Sequence, residues 1–299
     1  MNKKLKSSFI LLLTAFIWGI AFVAQRVGAD YMGTLTFNGI RFILGALSLI
    51  PVIAMFERKK VMSNEERRLL IKYAVLAGLV LFVASTLQQQ GIMISGSAGK
   101  ASFITGLYTV FVPVCGLFVH KRVSASTWFG VIFAVAGLYL VSVGGSDAFG
   151  IGDILVLIGT FFWTAHIIII ERATKRVSAL RFAMGQFLFC GVLSMLFACI
   201  FETITFSAIR QGIIPILYGG FMSVGVAYTC QIIGQKDSDP TAAAIILSTE
   251  SVFGAVGGAL LLNERMSIRG YVGCVLIFAG IVLAQLTFPL KKTKFRNNT

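Results

Sequence analysis

The chain has 299 residues, of which 57% are hydrophobic and only 13% are charged, and its mean hydropathy is +0.88. A soluble domain carries about 25% charged residues, and one of this length could not bury so much apolar surface. The same numbers exclude disordered, collagen-like, coiled-coil and disulfide-stabilised chains. The composition therefore predicts an all-α, polytopic integral membrane protein.

Ten apolar segments long enough to cross a bilayer follow one another along the chain. The predicted spans are residues 9–24, 34–56, 70–91, 97–119, 126–144, 152–170, 179–201, 212–233, 240–262 and 268–288. The longest connection lies between the second and third spans. There, Ser63 and Glu66 have the spacing of a capping box, which predicts a short interfacial helix.

The net charge of +14 is concentrated in the connections and tails. Such a charge often indicates nucleic-acid binding, but here the distribution of the basic residues is explained by the orientation of the chain in the membrane. With the N-terminus in the cytoplasm, twenty of the 26 Lys and Arg residues lie in inside segments and five lie outside. The positive-inside rule then predicts a multi-pass protein of the plasma membrane with both termini cytoplasmic and no nucleic-acid partner.

Cofactor, metal and nucleotide sites are not predicted. The five cysteines lie in apolar runs without metal-ligand spacing, and the chain has only two histidines. The pair Gly99-Lys100 does not complete a phosphate-binding loop, because that motif requires Gly in place of Ile94 and Ser or Thr in place of Ala101. The chain thus encodes no ATPase.

The two halves of the sequence resemble each other at a nearly constant offset. Residues 121–140 align with residues 264–283 at an offset of 143, and an offset of 145 holds near the start of each half. Matched pairs include Trp18 with Trp163, Phe37 with Phe182, Arg41 with Gln186, Gln88 with Gln231, and Gly91 with Gly234. Since five spans is an odd number, the second copy must be inverted. We expect repeats over residues 1–146 and 147–299 with a substrate site between them.

The runs KASFITGLYTVFVPVCG (residues 100–116) and YTCQIIGQKDSDPTAAAIILSTESVFGAVGGALLLNE (residues 228–264), with the early Trp18-Gly19, resemble the drug/metabolite transporter superfamily, EamA family. The resemblance covers essentially the whole chain. It implies ten helices as two inverted five-helix repeats, around a central cavity that passes small organic solutes, often outward. The family commonly has Pro after the Glu of span nine, whereas this chain has Ser251. The resemblance therefore does not imply a helix kink at this position.

Two charged residues lie within predicted spans. Arg41 shares a stripe with Asn38 and would cost about 2.5–3.5 kcal/mol without a partner or cavity. In a functional role, Arg41 faces an anionic group of the substrate or a carboxylate of a gate. In a structural role, it snorkels to the membrane surface or binds a neighbouring backbone carbonyl. Glu250 shares a face with Gly254 and Gly257, which indicates a helix-facing side. It is either a proton or substrate-coupling site or a structural hydrogen-bonded residue.

Further polar and aromatic residues lie on stripes of the other spans. The additional site candidates are Trp18, Gln88, Gln89, Lys100, Tyr108, Trp163, His166, Gln186, Tyr228 and Gln231. Gln25 and Thr105 share these stripes. Together they predict a cavity with aromatic walls and amide hydrogen-bonding groups, suited to a small amphipathic solute. The open alternatives are packing for the aromatic residues, a structural role for His166, and snorkelling for Lys100.

The function that fits these features is a secondary transporter, an exporter of a small metabolite or drug-like solute by alternating access. Glu250 would couple transport to protons. The expected partners are the solute, protons and the lipid bilayer, and a homodimer stays open. The alternatives are a polytopic membrane enzyme, which would need clustered histidines and carboxylates, and a non-transporting membrane receptor.

Overall fold

The computed structural model describes residues 3–57, 61–118, 124–142, 150–262 and 268–285, and these residues form helices joined by short turns, without a strand. The helices in chain order are α1 (Lys3–Gly28), α2 (Thr34–Glu57), α3 (Asn64–Ser95), α4 (Ala98–Gly106), α5 (Tyr108–Phe118), α6 (Ala125–Ser142), α7 (Ile151–Ala173), α8 (Ala179–Phe201), α9 (Phe206–Gln211), α10 (Ile213–Leu217), a π-helix (Tyr218–Tyr228), α11 (Thr229–Lys236), α12 (Pro240–Leu247), α13 (Glu250–Leu261) and α14 (Ile268–Gln285). The predicted all-helical class is confirmed.

Eight helical stretches in the described ranges are long and apolar enough to cross a membrane. They coincide with eight of the ten predicted spans. The predicted fifth and tenth spans coincide with α6 and α14, whose described apolar stretches, Ala125–Gly137 and Tyr271–Gly280, are shorter. The number of ten spans therefore stays a prediction.

The predicted capping box starts α3. Ser63 Oγ accepts a hydrogen bond from the Glu66 backbone nitrogen at 3.1 Å, and the Glu66 carboxylate accepts one from the Ser63 nitrogen at 3.0 Å. The prediction of a separate short helix is wrong, since α3 continues without a break for 32 residues. At about 1.5 Å per residue this helix exceeds the roughly 30 Å hydrocarbon core, so its charged first turns extend beyond it.

The start of α2 contacts a carboxylate that directly follows the end of α8. Glu202, which follows α8, accepts hydrogen bonds at 2.8 Å from the backbone nitrogens of Leu35 and Thr36. These are nitrogens of a first helical turn, which lack partners within the helix. A side chain at Gly33 would overlap the Glu202 carboxyl group, so glycine is needed for this approach.

The opposite end of the same helix pair has a similar contact. Glu57, the last residue of α2, accepts from the Ser178 hydroxyl and pairs with Arg181 Nε at 2.9 Å, at the start of α8. Hence α2 and α8 run antiparallel. We call the end of the bundle with the start of α1 and Glu57 the proximal end, and the end with the α1–α2 connection and Glu202 the distal end.

The fourth and ninth predicted spans are each interrupted. The first break lies at Leu107, between α4 and α5, and the second at Ser248 and Thr249, between α12 and α13. The hydroxyl groups of Ser248 and Thr249 donate to the carbonyls of Ile245 at 2.8 Å and Ile246 at 2.6 Å. Such local side-chain bonds compete with regular helix bonding and tighten the turn.

The second break therefore forms without a proline. Ser251, at the position where the resembling family commonly has Pro, donates its hydroxyl hydrogen to the carbonyl of Ser102 at 3.1 Å. This bond ties the start of α13 to α4. The chain thus has an interrupted span nine although its sequence lacks the usual cause of a kink.

The predicted eighth span contains a π-helix, whose backbone hydrogen bonds join residues five apart and whose turn is wider than that of an α-helix. Tyr218, Ser223 and Tyr228 have this spacing. The Tyr218 hydroxyl donates to the carbonyl of Ile17 at 2.9 Å, and Trp18 Nε1 donates to the carbonyl of Ser223 at 3.3 Å. The π-helix therefore contacts α1 through these two hydrogen bonds.

Candidate functional site

A cavity lies in the middle of the bundle and encloses about 470 Å³ of empty space, open solvent included. It is lined by Trp18, Ala21, Phe22, Gln25, Arg41, Gln88, Thr105, Tyr108, Trp163, Ile167, Ser223, Tyr228, Gln231, Leu247 and Glu250. Eight of the thirteen predicted site residues belong to this lining. Both halves of the sequence contribute to it, and the repeat-equivalent pair of tryptophans faces the same space.

Aromatic rings form one wall of the cavity. The Tyr228 ring packs edge-on against Trp18 at a centroid distance of 4.6 Å and stacks with Trp163 at 6.1 Å. Behind it lie Phe187 at 5.6 Å and Phe42 at 6.0 Å. Rings at these distances support one another, so the wall is a rigid apolar surface suited to the apolar part of a solute.

Arg41 brings a positive charge to the cavity. It is 3% exposed, and its Nε donates to Asn38 Oδ1 at 3.0 Å. Its guanidinium carbon lies 4.9 Å from the Phe42 ring centroid and 5.3 Å from that of Phe37. Within the described ranges it has no ion-pair partner. A buried cation of this kind favours an anion in the adjoining space.

Glu250 brings a carboxyl group from the other half of the chain. It is 3% exposed and is the first residue of α13. The Tyr108 hydroxyl, on the first residue of α5, donates to Glu250 Oε1 at 3.0 Å. The two interrupted spans therefore meet at their breaks through this bond. Interrupted helices are a common source of ion and substrate ligands in transporters.

Amide and hydroxyl groups complete the lining. Gln88 and Gln231, which are repeat equivalents, are both buried against the cavity. Gln25 Oε1, Gln231 Oε1 and Thr105 Oγ1 have no hydrogen-bond partner in the described protein. Since buried polar atoms are almost always hydrogen-bonded, these groups can bind water or the polar groups of a solute.

Two predicted site residues lie behind the aromatic wall. His166 Nε2 is 2.9 Å from Gln186 Oε1, and neither residue lines the cavity. The His166 ring packs against Trp163 at 5.9 Å and Tyr228 at 6.2 Å. These residues therefore support the wall rather than contact the space it encloses.

Three more predicted site residues, Asn38, Gln89 and Lys100, do not line the cavity themselves. Asn38 binds Arg41, as described above. Gln89 Nε2 donates to the carbonyl of Gln25 at 3.0 Å, and Lys100 Nζ pairs with Asp153 at 2.7 Å. Asp153 is buried near the start of α7, so Lys100 links α4 to α7 at the distal end.

Phe22 and Ser223 line the cavity without having been predicted. Phe22 is apolar and gives no signal in an apolar span. Ser223 lies in a π-helical segment, where the wider turn shifts side chains away from their α-helical positions. A stripe drawn through Tyr228 with the α-helical period therefore does not include it.

Two segments of the chain, residues 5–143 and residues 150–286, each match the EamA-like transporter family. An "Uncharacterized transporter" of Archaeoglobus fulgidus is 29% identical over 285 residues, covering 95% of this chain and 87% of the relative. A "Probable amino-acid metabolite efflux pump" is 26% identical in Salmonella typhimurium (96% of this chain, 97% of the relative) and 25% identical in Escherichia coli (93% and 94%).

A solved crystal structure of another protein shares this fold, with a TM-score of 0.78 at 16% sequence identity, over 94% of this chain and 96% of the other. The repeated family match and the named relatives identify a multi-pass membrane transporter and not an enzyme, as the sequence predicts. The chain belongs to the EamA-like transporter family.

Proposed function

We propose that the chain is a secondary carrier that exports a small organic solute by alternating access, with ten spans in two inverted halves. The end contacts of α2 and α8 support the inverted arrangement. The offset of 145 residues relates Glu57 to Glu202 and Arg181 to Thr36. The related residues make related contacts at opposite ends of an antiparallel helix pair. A two-fold axis in the membrane plane produces such a relation.

A second pair of matched contacts supports the same arrangement. At the distal end, a side chain at Gly91 of α3 would lie 2.6 Å from the carbonyl oxygen of Gly152 of α7. Near the proximal end, the Ser7 hydroxyl of α1 donates to the carbonyl of Gly234 of α11. The sequence offsets relate Gly91 to Gly234 and Ser7 to Gly152. Inverted halves with equivalent packing can rock about a central site and open it to either side.

The solute class follows from the lining of the cavity. Arg41, without an ion-pair partner in the described protein, would bind a carboxylate of the solute. The aromatic wall of Trp18, Trp163 and Tyr228 would hold its apolar part, and Glu250 or the amides would bind its amino group. A small amphipathic carboxylate of the amino-acid type fits this pattern. The printed names of the two efflux pumps favour the same class and the outward direction.

Glu250 is the proposed coupling residue. Its carboxyl group lies at the cavity, and its hydrogen-bond partner Tyr108 belongs to the other interrupted span. A carboxyl group at such a place can take up a proton from one side of the membrane and release it to the other as the halves rock. Entry of the proton would then drive exit of the solute.

The observation that carries the proposal is the central cavity with Arg41 from one half and Glu250 from the other. The test is flux into liposomes that contain the purified protein, with a panel of labelled amino acids and their decarboxylated amines. We expect saturable, protein-dependent flux of at least one carboxylate, which increases when a pH gradient is imposed. Flux that is absent for every carboxylate in the panel, or equal to that of empty liposomes, would refute the proposal.

A further inference from the structure

We propose that six residues at the distal end form a polar latch that closes the cavity on that side: Gln25, Arg26, Thr34, Gln89, Gln90 and Gly96. The inference rests on the proposed function, because only an alternating carrier needs such a gate. The latch joins α1 and the start of α2 to the end of α3. It separates when the distal side opens.

Three hydrogen bonds make the latch. Gln89 Nε2 of α3 donates to the carbonyl oxygen of Gln25 of α1 at 3.0 Å. The Thr34 hydroxyl at the start of α2 donates to Gln90 Oε1 at 2.7 Å. In the third bond, Arg26 Nε donates to the carbonyl oxygen of Gly96 at 2.9 Å. Gly96 ends α3 and has the left-handed conformation, with φ 67°.

The latch borders the cavity directly. Gln25 belongs to the cavity lining and to the latch at once, two helical turns beyond Trp18 towards the distal end of α1. Gln88, the neighbour of Gln89, lines the cavity on α3. A solute that leaves the cavity between α1 and α3 must therefore break the Gln25–Gln89 bond.

The repeat-equivalent positions at the proximal end cannot form these bonds. The offsets relate Gln25 to Ile170 and Gln89 to Ile232. Both isoleucines are fully buried in one apolar cluster. The Thr34–Gln90 bond is lost in the same way, because the offsets relate Thr34 to an alanine and Gln90 to an isoleucine at positions 179 and 233. At these four positions the two ends thus differ, with hydrogen-bonding side chains at the distal end and apolar side chains at the proximal end.

The closed latch leaves polar groups unsatisfied. Gln25 Oε1 and Gln89 Oε1 are buried and have no hydrogen-bond partner in the described protein. Opening would admit water, which hydrogen-bonds to both oxygens and to the groups of the broken bonds.

Spin-label distances in the purified, full-length protein test the latch without a substrate. In a variant without native cysteines, Tyr31→Cys and Ile94→Cys place labels on exposed residues on either side of the latch. Thr34→Val with Gln89→Met removes two latch bonds at nearly constant side-chain size. We expect this change to lengthen the mean label distance by more than about 2 Å, the scale of real interface rearrangements.

Gln235→Met is the matched control, since Gln235 is a buried glutamine of α11 outside the latch and its side chain has no hydrogen-bond partner in the described protein. It should leave the distal distance unchanged. If the double variant does not fold, Thr34→Val alone, at the edge of the latch, should give a smaller shift in the same direction. An unchanged distance in the folded latch variant, or the same shift in Gln235→Met, would overturn the latch. A lengthened distance in a protein without flux would keep the latch and refute the carrier.

Discussion

Arg41 is the residue to which we assign recognition of the solute. Its position on α2 is fixed from both sides, by Asn38 through a hydrogen bond and by the rings of Phe37 and Phe42. Its partners in the described protein are thus neutral. We therefore propose that this positive charge binds an anionic group of the solute.

Replacement of Arg41 by Gln, the residue at the equivalent position 186, tests this role. We expect the affinity for a transported carboxylate to fall about 10- to 100-fold, because a charge-assisted hydrogen bond contributes about 1.5–3 kcal/mol. Affinity for the matching amine without the carboxylate should hardly change. The control is Arg210→Gln, which removes an exposed arginine outside the cavity. Equal losses for acid and amine would contradict a carboxylate-binding role.

Glu250→Gln tests proton coupling at the same scale. Glutamine keeps the size of the side chain and can accept the hydrogen bond from Tyr108, but it cannot exchange a proton. We expect accumulation driven by a pH gradient to be lost while exchange of solute for solute across the liposome membrane persists. Glu202→Gln, a carboxyl group at the distal end of α2, should keep the response to the gradient. Full gradient-driven accumulation in Glu250→Gln would exclude Glu250 as the proton carrier.

Among the elements, the helices could be predicted from the sequence because hydropathy over twenty residues averages out local detail. Their interruptions could not. The break before Glu250 depends on hydrogen bonds from Ser248 and Thr249 to nearby carbonyls, and serine and threonine occur in unbroken helices as well. The π-helix changes the helical period without changing hydropathy, so the position of Ser223 was missed.

For the candidate site, too, one part could be predicted from the sequence and another could not. Residues such as Trp18 and Arg41 could be found because a polar or aromatic stripe in a span must face protein or water. The partners of Lys100 and Gln89 could not be found, since Asp153 and the Gln25 carbonyl are distant in sequence. The sequence identifies which helix faces are polar, but the contacts depend on how the helices are arranged.

The close contact of α1 with α13 gives a prediction for an element. A side chain at Gly19 would lie 2.3 Å from Phe253 Cβ and 2.8 Å from the backbone nitrogen of Gly254. We expect Gly19→Ala to destabilise the protein by about 1–3 kcal/mol, the usual cost of overpacking, measured as a lower melting temperature in detergent. Gly159→Ala on α7 is the control, because its nearest contacts, at 3.4 Å, are ordinary. An unchanged melting temperature in Gly19→Ala would contradict this packing.

On the scale of the whole molecule, charge and architecture have separate roles. The excess of Lys and Arg in the connections sets the orientation predicted for the chain and carries no information about the solute. The proposed solute site depends on a few residues that differ between the two halves. Arg41 has Gln186 as its equivalent, and Glu250 lies opposite Tyr108 across the two interrupted spans.

The central claim is that the cavity opens to each side of the membrane in turn. Its most direct test is the labelling of Ser223→Cys by an impermeable maleimide, in a variant without native cysteines, in right-side-out and inside-out vesicles. Ser223 lines the cavity, whereas its neighbour Met222 is 40% exposed on the outer surface of the bundle, and Met222→Cys is the control. We predict that Ser223→Cys reacts in both kinds of vesicle and that a transported solute protects it, whereas Met222→Cys, on the outer surface of a span, reacts in neither. Reaction of Ser223→Cys from one side only would contradict the account.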